Sequence, residues 1–141
     1  ASYSKSNTYK DTEEFIEDIV NINEQYYVNV TCKVSANGFI LQPIEEFLIK
    51  FNKNWIPVGF TVNFDIVSTN VPEPYKVWWK IRNIGTVAEK KDTIRGQIEK
   101  NFYKHKKESS EFYGEHYAEC YIIKNDECVA IAHIDVPIDN K

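Results

Sequence analysis

A chain of 141 residues, 43% hydrophobic and 14% aromatic, has the length of one domain and enough apolar material to fill one core. Its 17 basic and 21 acidic residues give a formal net charge of -4, which disfavours non-specific attraction to nucleic acid or an anionic membrane. There is no run of about 18 apolar residues and no basic-then-apolar leader at Ala1-Ser2-Tyr3-Ser4, so neither a membrane span nor a secretory signal is expected.

The chain lacks methionine, even at its start, and Ser2 to Thr8 reads as a linker, so we expect a fragment of a longer protein with residues 1–10 as the linker and 11–141 as a single domain. Three cysteines, Cys32, Cys120 and Cys128, are an odd number without metal-ligand spacing. They suit a reducing cytoplasm better than a disulfide framework. Asn29-Val30-Thr31 matches a glycosylation pattern, but within a strand of an intracellular chain it is a chance match.

In chain order, Asp11 suits the cap of a short acidic helix with Glu13 and Glu14 in its first turn and Phe15, Ile16, Ile19 and Val20 as its apolar stripe. This gives a helical connector over 11–24. The β domain, 26–138, opens with Tyr26, Val28, Val30, Cys32 and Val34 in strict alternation, the period of a half-buried strand. Asn37-Gly38 turns the chain. Pro43 followed by Ile44, Phe47, Leu48 and Phe51 predicts a short helix between two strands, ending near Asn52 to Asn54.

Val58, Phe60, Val62, Phe64 and Ile66 alternate as a further strand, and Val71-Pro72-Glu73-Pro74 breaks it. The next strand runs from about Tyr75 to Asn83, and others are expected around Ile94 to Lys100, His116 to Ile123 and Cys128 to Val136. The last two form a hairpin over Asn125-Asp126 that sets Lys124 opposite Glu127 and Cys120 opposite Ile131, leaving Cys120 and Cys128 unopposed. Asn101 to Glu115, rich in lysine, reads as a mobile loop. The fold class is mainly β: an antiparallel β-sandwich with a short N-terminal helix and one short helix between strands, a small barrel being the competitor.

Short catalytic signatures are missing: there is no Gly-rich phosphate loop, nucleophile elbow, His-Glu-x-x-His or Cys-x-x-Cys, and Asp65 has no second carboxylate beside it for two-metal chemistry. Neither enzymatic activity nor a cofactor or metal is expected. His116 and Glu119 suggest acid–base or metal chemistry, but strand alternation sends them to opposite faces.

More informative is the strand from Tyr75 to Arg82. Alternation puts Tyr75, Val77, Trp79 and Ile81 on a core face and Lys76, Trp78, Lys80 and Arg82 on the other. Three cations around an indole suit a stacked base and its phosphate, while the plainer account is a solvated face whose long stems shelter a tryptophan. Arginine occurs only at Arg82 and Arg95 against fifteen lysines, and Arg95-Gly96-Gln97 adds donors beside a residue without a side chain. Alternatively Gly96 marks a bulge and Arg95 pairs with Glu89 or Glu99.

Asn70-Val71-Pro72-Glu73-Pro74-Tyr75, Trp79-Lys80-Ile81-Arg82-Asn83-Ile84-Gly85 with Ala88, Arg95-Gly96-Gln97, Gly114-Glu115-His116-Tyr117-Ala118-Glu119-Cys120-Tyr121-Ile122-Ile123-Lys124 and Cys128-Val129-Ala130 together resemble the adenylyl/guanylyl and SMODS C-terminal sensor domain. The likeness runs from Tyr27 to Ile138. It departs at Ala118, where a bulkier aliphatic residue is expected, and in the lysine-rich Phe102 to Glu108.

The resemblance implies a non-catalytic module joined to an upstream nucleotidyltransferase domain of bacterial anti-phage signalling, detecting a nucleotide or nucleotide-derived ligand and regulating the enzyme. On that reading Lys80, Arg82 and Arg95 contact anions, Trp78 stacks, Asn83, Gln97 and His116 read polar edges, and Tyr117 and Glu119 complete the candidate set. Two other readings stay open: an RNA or DNA reader that adds Lys104, Lys106 and Lys107, and a structural docking or dimerisation domain.

Overall fold

The computed structural model describes residues 13–35, 42–50, 56–57, 61–83, 96–100, 104–109 and 114–139. Among these residues, ten strands make two sheets. The larger takes the order β1-β10-β9-β6-β7, with β4 also pairing β10, and the smaller the order β3-β2-β5-β8. The strands are β1 (Asn21–Ile22), β2 (Val28–Ser35), β3 (Gln42–Pro43), β4 (Ile56–Pro57), β5 (Thr61–Thr69), β6 (Lys76–Asn83), β7 (Ile98–Glu99), β8 (His105–Ser109), β9 (Gly114–Lys124) and β10 (Glu127–Asp139), and the α-helix described is α1 (Ile44–Lys50). Pairing is antiparallel apart from the short β1–β10 and β4–β10 ladders, which are parallel. The expected mainly β sandwich is thus present, with those two parallel pairings added to it.

The alternating residues form the core between the sheets. Val28, Cys32, Val34, Val62 and Phe64 of the smaller sheet meet Val77, Trp79, Ile81, Ala118, Cys120, Ile122, Ala130 and Val136 of the larger. Trp79 is fully buried, and its ring lies 6.3 Å from that of Phe64 across the sandwich. The crossover between the sheets is held by polar bonds: the Tyr27 amide donates to Asn70 Oδ1 at 2.8 Å and the Thr69 hydroxyl donates to the Tyr27 carbonyl at 2.6 Å. Pro43 immediately precedes α1, whose Ile44 is buried and Leu48 half-buried against the core.

Three expectations are corrected. The N-terminal helix is reduced to a 3-10 turn over Ile16–Asp18, after which the backbone leaves helical geometry so that Asn21 and Ile22 pair with Glu127 and Cys128. Here pairing and apolar burial override a weak helical pattern rich in β-branched residues. The lysine-rich stretch contains β8, an edge strand paired with β5 from Thr61↔Ser109 to Asp65↔His105. Its charges suit an edge exposed to unwanted pairing, and the same charges hide the strand from a search for alternating apolar residues.

The hairpin is as expected at its tip, where Asn125 (φ 53°) and Asp126 (φ 64°) adopt the left-handed values of a type I′ turn and Lys124 opposes Glu127. Beyond it, a bulge between Cys128 and Ala130 shifts the register, so Cys120 faces Ala132 and Ile131 faces Tyr121.

All three cysteines are free, buried thiols. Burial pushes Cys32 up to about 12 and Cys128 up to about 11, and raises Cys120 as well. No helix among the described residues is long and apolar enough to cross a membrane. Residues 1–12, the Asn37-Gly38 turn, Asn52 to Asn54 and the start of the predicted strand at Val58 and Phe60 lie outside the described residues.

Candidate functional site

The outer face of the larger sheet carries three rows of side chains, each formed by directly opposed residues of β10, β9 and β6. The rows are Ile131–Tyr121–Trp78, His133–Glu119–Lys80 and Asp135–Tyr117–Arg82. The first row is apolar. Trp78 and Tyr121 pack with Ile16, Ile98, Ile123 and Cys128 in a second hydrophobic cluster, backed by Ile19 and Val20 of the N-terminal segment. The Trp78 indole N–H is buried and has no hydrogen-bond partner among the described residues, while Lys100 Nζ stands 4.9 Å from the ring centroid.

The next two rows are polar and linked. Tyr121 OH donates to Glu119 Oε1 at 2.6 Å, and Glu119 Oε2 lies 2.8 Å from His133 Nδ1. The other ring nitrogen of His133, Nε2, lies 2.8 Å from Asp135 Oδ1. An ionised carboxylate only accepts, so both contacts are satisfied when His133 carries both protons. Burial by itself lowers the pKa of His133, but the bonds to Glu119 and Asp135 outweigh it and leave the group above 6.5. The Tyr117 ring lies 4.9 Å from that of His133, and burial followed by the Glu13 hydrogen bond raises the Tyr117 phenol.

A strap, residues 13–20, covers the β6 side of these rows. Glu13 is only 8% exposed. Its Oε2 accepts from Lys80 Nζ at 2.7 Å and from Tyr117 OH at 3.0 Å, and its Oε1 lies 3.4 Å from Arg82 Nε. The Phe15 ring lies 4.7 Å from Lys80 Nζ. Glu14 ties the strap to the sheet edge: its amide donates to the Gly96 carbonyl at 2.9 Å and its Oε1 accepts from the Ile98 amide at 2.6 Å. A Cβ on residue 96 would stand 3.0 Å from Glu13 Cα, Cβ and Cγ, so this close approach needs glycine.

The face is therefore closed on its β6 side and open on its β10 side, where the side chains of His133 and Asp135 are 44% and 83% exposed. Of the residues singled out in the sequence, Trp78, Lys80, Arg82, Tyr117 and Glu119 share this face. Trp78 and Lys80 are buried beneath the strap rather than presented to solvent, as the solvated-face account had them. Gln97 is exposed beside Gly96. His116 is buried, and strand alternation sets it with Ala118 and Cys120 on the inner face, away from Glu119 as expected. Asn83 pairs with His116 in the ladder, and Arg95 lies outside the described residues.

Glu13, His133 and Asp135 escaped the sequence reading. Glu13 passed for a helix first-turn acid. Without the bulge His133 would oppose Ala118 on the core face, so only the one-residue shift brings it to Glu119. Among the described residues no group of three or more His, Cys, Asp or Glu side chains is placed to hold a metal ion.

Comparison with curated proteins and with solved structures finds no match. A family model does match, over residues 10–139, an interval that takes in both sheets, the strap and all three rows of the outer face. The chain belongs to the adenylyl/guanylyl and SMODS C-terminal sensor domain family.

Proposed function

We propose that this domain binds a nucleotide or nucleotide-derived small molecule and regulates a nucleotidyltransferase domain joined to it, as part of cytoplasmic anti-phage signalling in bacteria. Membership of a sensor family supports the sensory role. The observation that carries the choice of ligand is the convergence of Arg82, Tyr117, Glu119 and His133 from three strands onto one partly open face. A guanidinium suits phosphate, paired tyrosine and imidazolium rings suit a planar base, and carboxylates accept from base N–H groups. Gln97, exposed beside Gly96, is assigned to the rim of the same site, and Arg95, outside the described residues, stays a candidate on its sequence alone.

The oligonucleotide reading draws less support, because Lys106 is committed to Glu99 at 2.7 Å and Lys104 lies 5.5 Å from the Tyr75 ring. Titration calorimetry against mono-, di- and cyclic nucleotides tests the proposal. Binding by the wild-type protein, lost in Arg82→Ala with an unchanged far-UV spectrum, is expected. No heat with any of them removes small nucleotides, and binding only to RNA or DNA with steep salt dependence favours the oligonucleotide reading instead.

A further inference from the structure

Lys80, Arg82 and Tyr117 all belong to the paired sheet, whereas the carboxylate on which they converge comes from a segment laid over it. Three donors around one anion is the arrangement of a bound carboxylate or phosphate ligand, and lysine, arginine and a phenol serve either. We infer that Lys80, Arg82 and Tyr117 form an anion-binding cradle whose resting occupant is Glu13, and that a phosphate-bearing ligand enters it by displacing Glu13. This rests on the sensor reading above and adds to it the means by which occupancy leaves the site: the strap is the part that moves.

The anchoring of the strap is divided in a way that permits this. Its apolar attachment begins at Ile16, which is 5% exposed, with Ile19 and Val20 packed behind it. Its turn is closed by the Asp18, Ile19 and Val20 amides donating back to Phe15 and Ile16. Glu13 and Glu14 are held separately, through the cradle and the edge at Gly96 and Ile98. Among the described residues, vacating the cradle requires Glu13 to Phe15 to lift, with the Glu14 amide bond and the bond from the Ile98 amide breaking together and the Asp18 bond to the Phe15 carbonyl loosening, while Ile16, Ile19 and Val20 stay packed. Phe15 lies over Lys80 and leaves with Glu13, which opens the ammonium to the incoming anion.

Hydrogen exchange on the whole chain, titrated with inorganic phosphate at constant ionic strength held by chloride, tests this inference. Phosphate is expected to speed exchange of the Glu14 and Ile98 amides, leave those of Ile19 and Val20 unchanged, and bind Glu13→Gln at least ~10-fold more tightly than wild type, because the internal competitor is weakened. Lys80→Met should abolish the exchange response. Unchanged Glu14 and Ile98 exchange in phosphate-saturated wild type overturns the inference whatever the variants do, as does equal phosphate affinity of wild type and Glu13→Gln. AMP binding to wild type with those two amides still protected overturns the displacement while leaving the sensor reading intact. Phosphate opening the strap while no nucleotide binds more tightly than phosphate sustains the cradle and removes the nucleotide reading.

Discussion

Trp79 and Trp78 are neighbours on one strand and both are buried, yet different physics holds each. Trp79 points between the sheets, into the main hydrophobic core, where dispersion and water exclusion dominate its stabilisation. Trp78 points outward, into a second cluster that residues 13–20 cover with Ile16, Ile19 and Val20, and two residues along the same face the covering segment is fixed by a buried ion pair. The inner face would be filled by any apolar residues of suitable shape. The outer face depends on specific partners, and removal of one leaves another buried without its counter-charge.

Substitutions on the two faces separate these accounts. Trp79→Ala has the largest expected effect, a loss of ~3–5 kcal/mol of unfolding free energy that the surrounding side chains cannot recover by collapse, read from the denaturant midpoint. Glu13→Ala follows, at ~3 kcal/mol, because Lys80 is left charged and 2% exposed. Its distinguishing property is rescue: Glu13→Leu combined with Lys80→Met should recover much of the loss, since two matched apolar side chains remove the Lys80 charge together with its partner and leave only Arg82, 11% exposed, without the Glu13 carboxylate. No second substitution of that kind repairs Trp79→Ala. Failure of the rescue, with both single variants folded, would mean that the cradle is valued for Arg82 and Tyr117 rather than for Lys80.

A smaller effect is expected at Trp78. Trp78→Phe deletes the indole N–H that is buried without a partner among the described residues, an unsatisfied donor that costs ~1–3 kcal/mol. It also removes ring volume, which costs a comparable amount. The two terms oppose, so the midpoint should move by less than ~1 kcal/mol. The same substitution at Trp79 has no such offset and should cost clearly more. Equal losses at both positions would show that the outer cluster is packed as tightly as the inner core.

The inner face was legible in the sequence because its signal is local: alternation in β2, β5 and β6 names the core residues, apolar spans locate β9 and β10, and Asn125-Asp126 names the turn. The outer face was legible only in half. Alternation placed Trp78, Lys80 and Arg82 together, but nothing local says that a segment more than sixty residues earlier covers them, and an open cationic face and a covered one have the same period. The short β1 and β8 strands were invisible for a related reason, since their residues are chosen for an edge or a single ladder rather than for a face. The bulge beside Val129 reversed which side of β10 His133 occupies, and the unbroken apolar run Cys128 to Ala132 hides the point at which two successive residues, Val129 and Ala130, both turn inward.

His133 gives the smallest and most specific contrast between the faces, because it is the titrating group at the open end of the outer one. It meets Glu119 and Tyr117 of β9 and Asp135 of its own strand; Lys80 lies beyond Glu119 on β6, and Glu13 reaches the group only through Tyr117. Its folded pKa is raised above 6.5, against the lowering effect of burial, by the bonds to the two carboxylates. A group raised on folding adds stability that is fully present below 6.5 and is lost as pH rises through the folded value. The wild-type midpoint should therefore fall relative to that of His133→Gln as pH increases from 6.5 upward, and the imidazole proton shifts should titrate above 6.5 in the folded protein. The effect is small because the side chain is 44% exposed and solvent screens it. Titration below 6.5 would mean that the Glu119–His133–Asp135 chain does not persist in solution. The polar rows would then be free to rearrange around a ligand, which is a property that the rigid inner face cannot share.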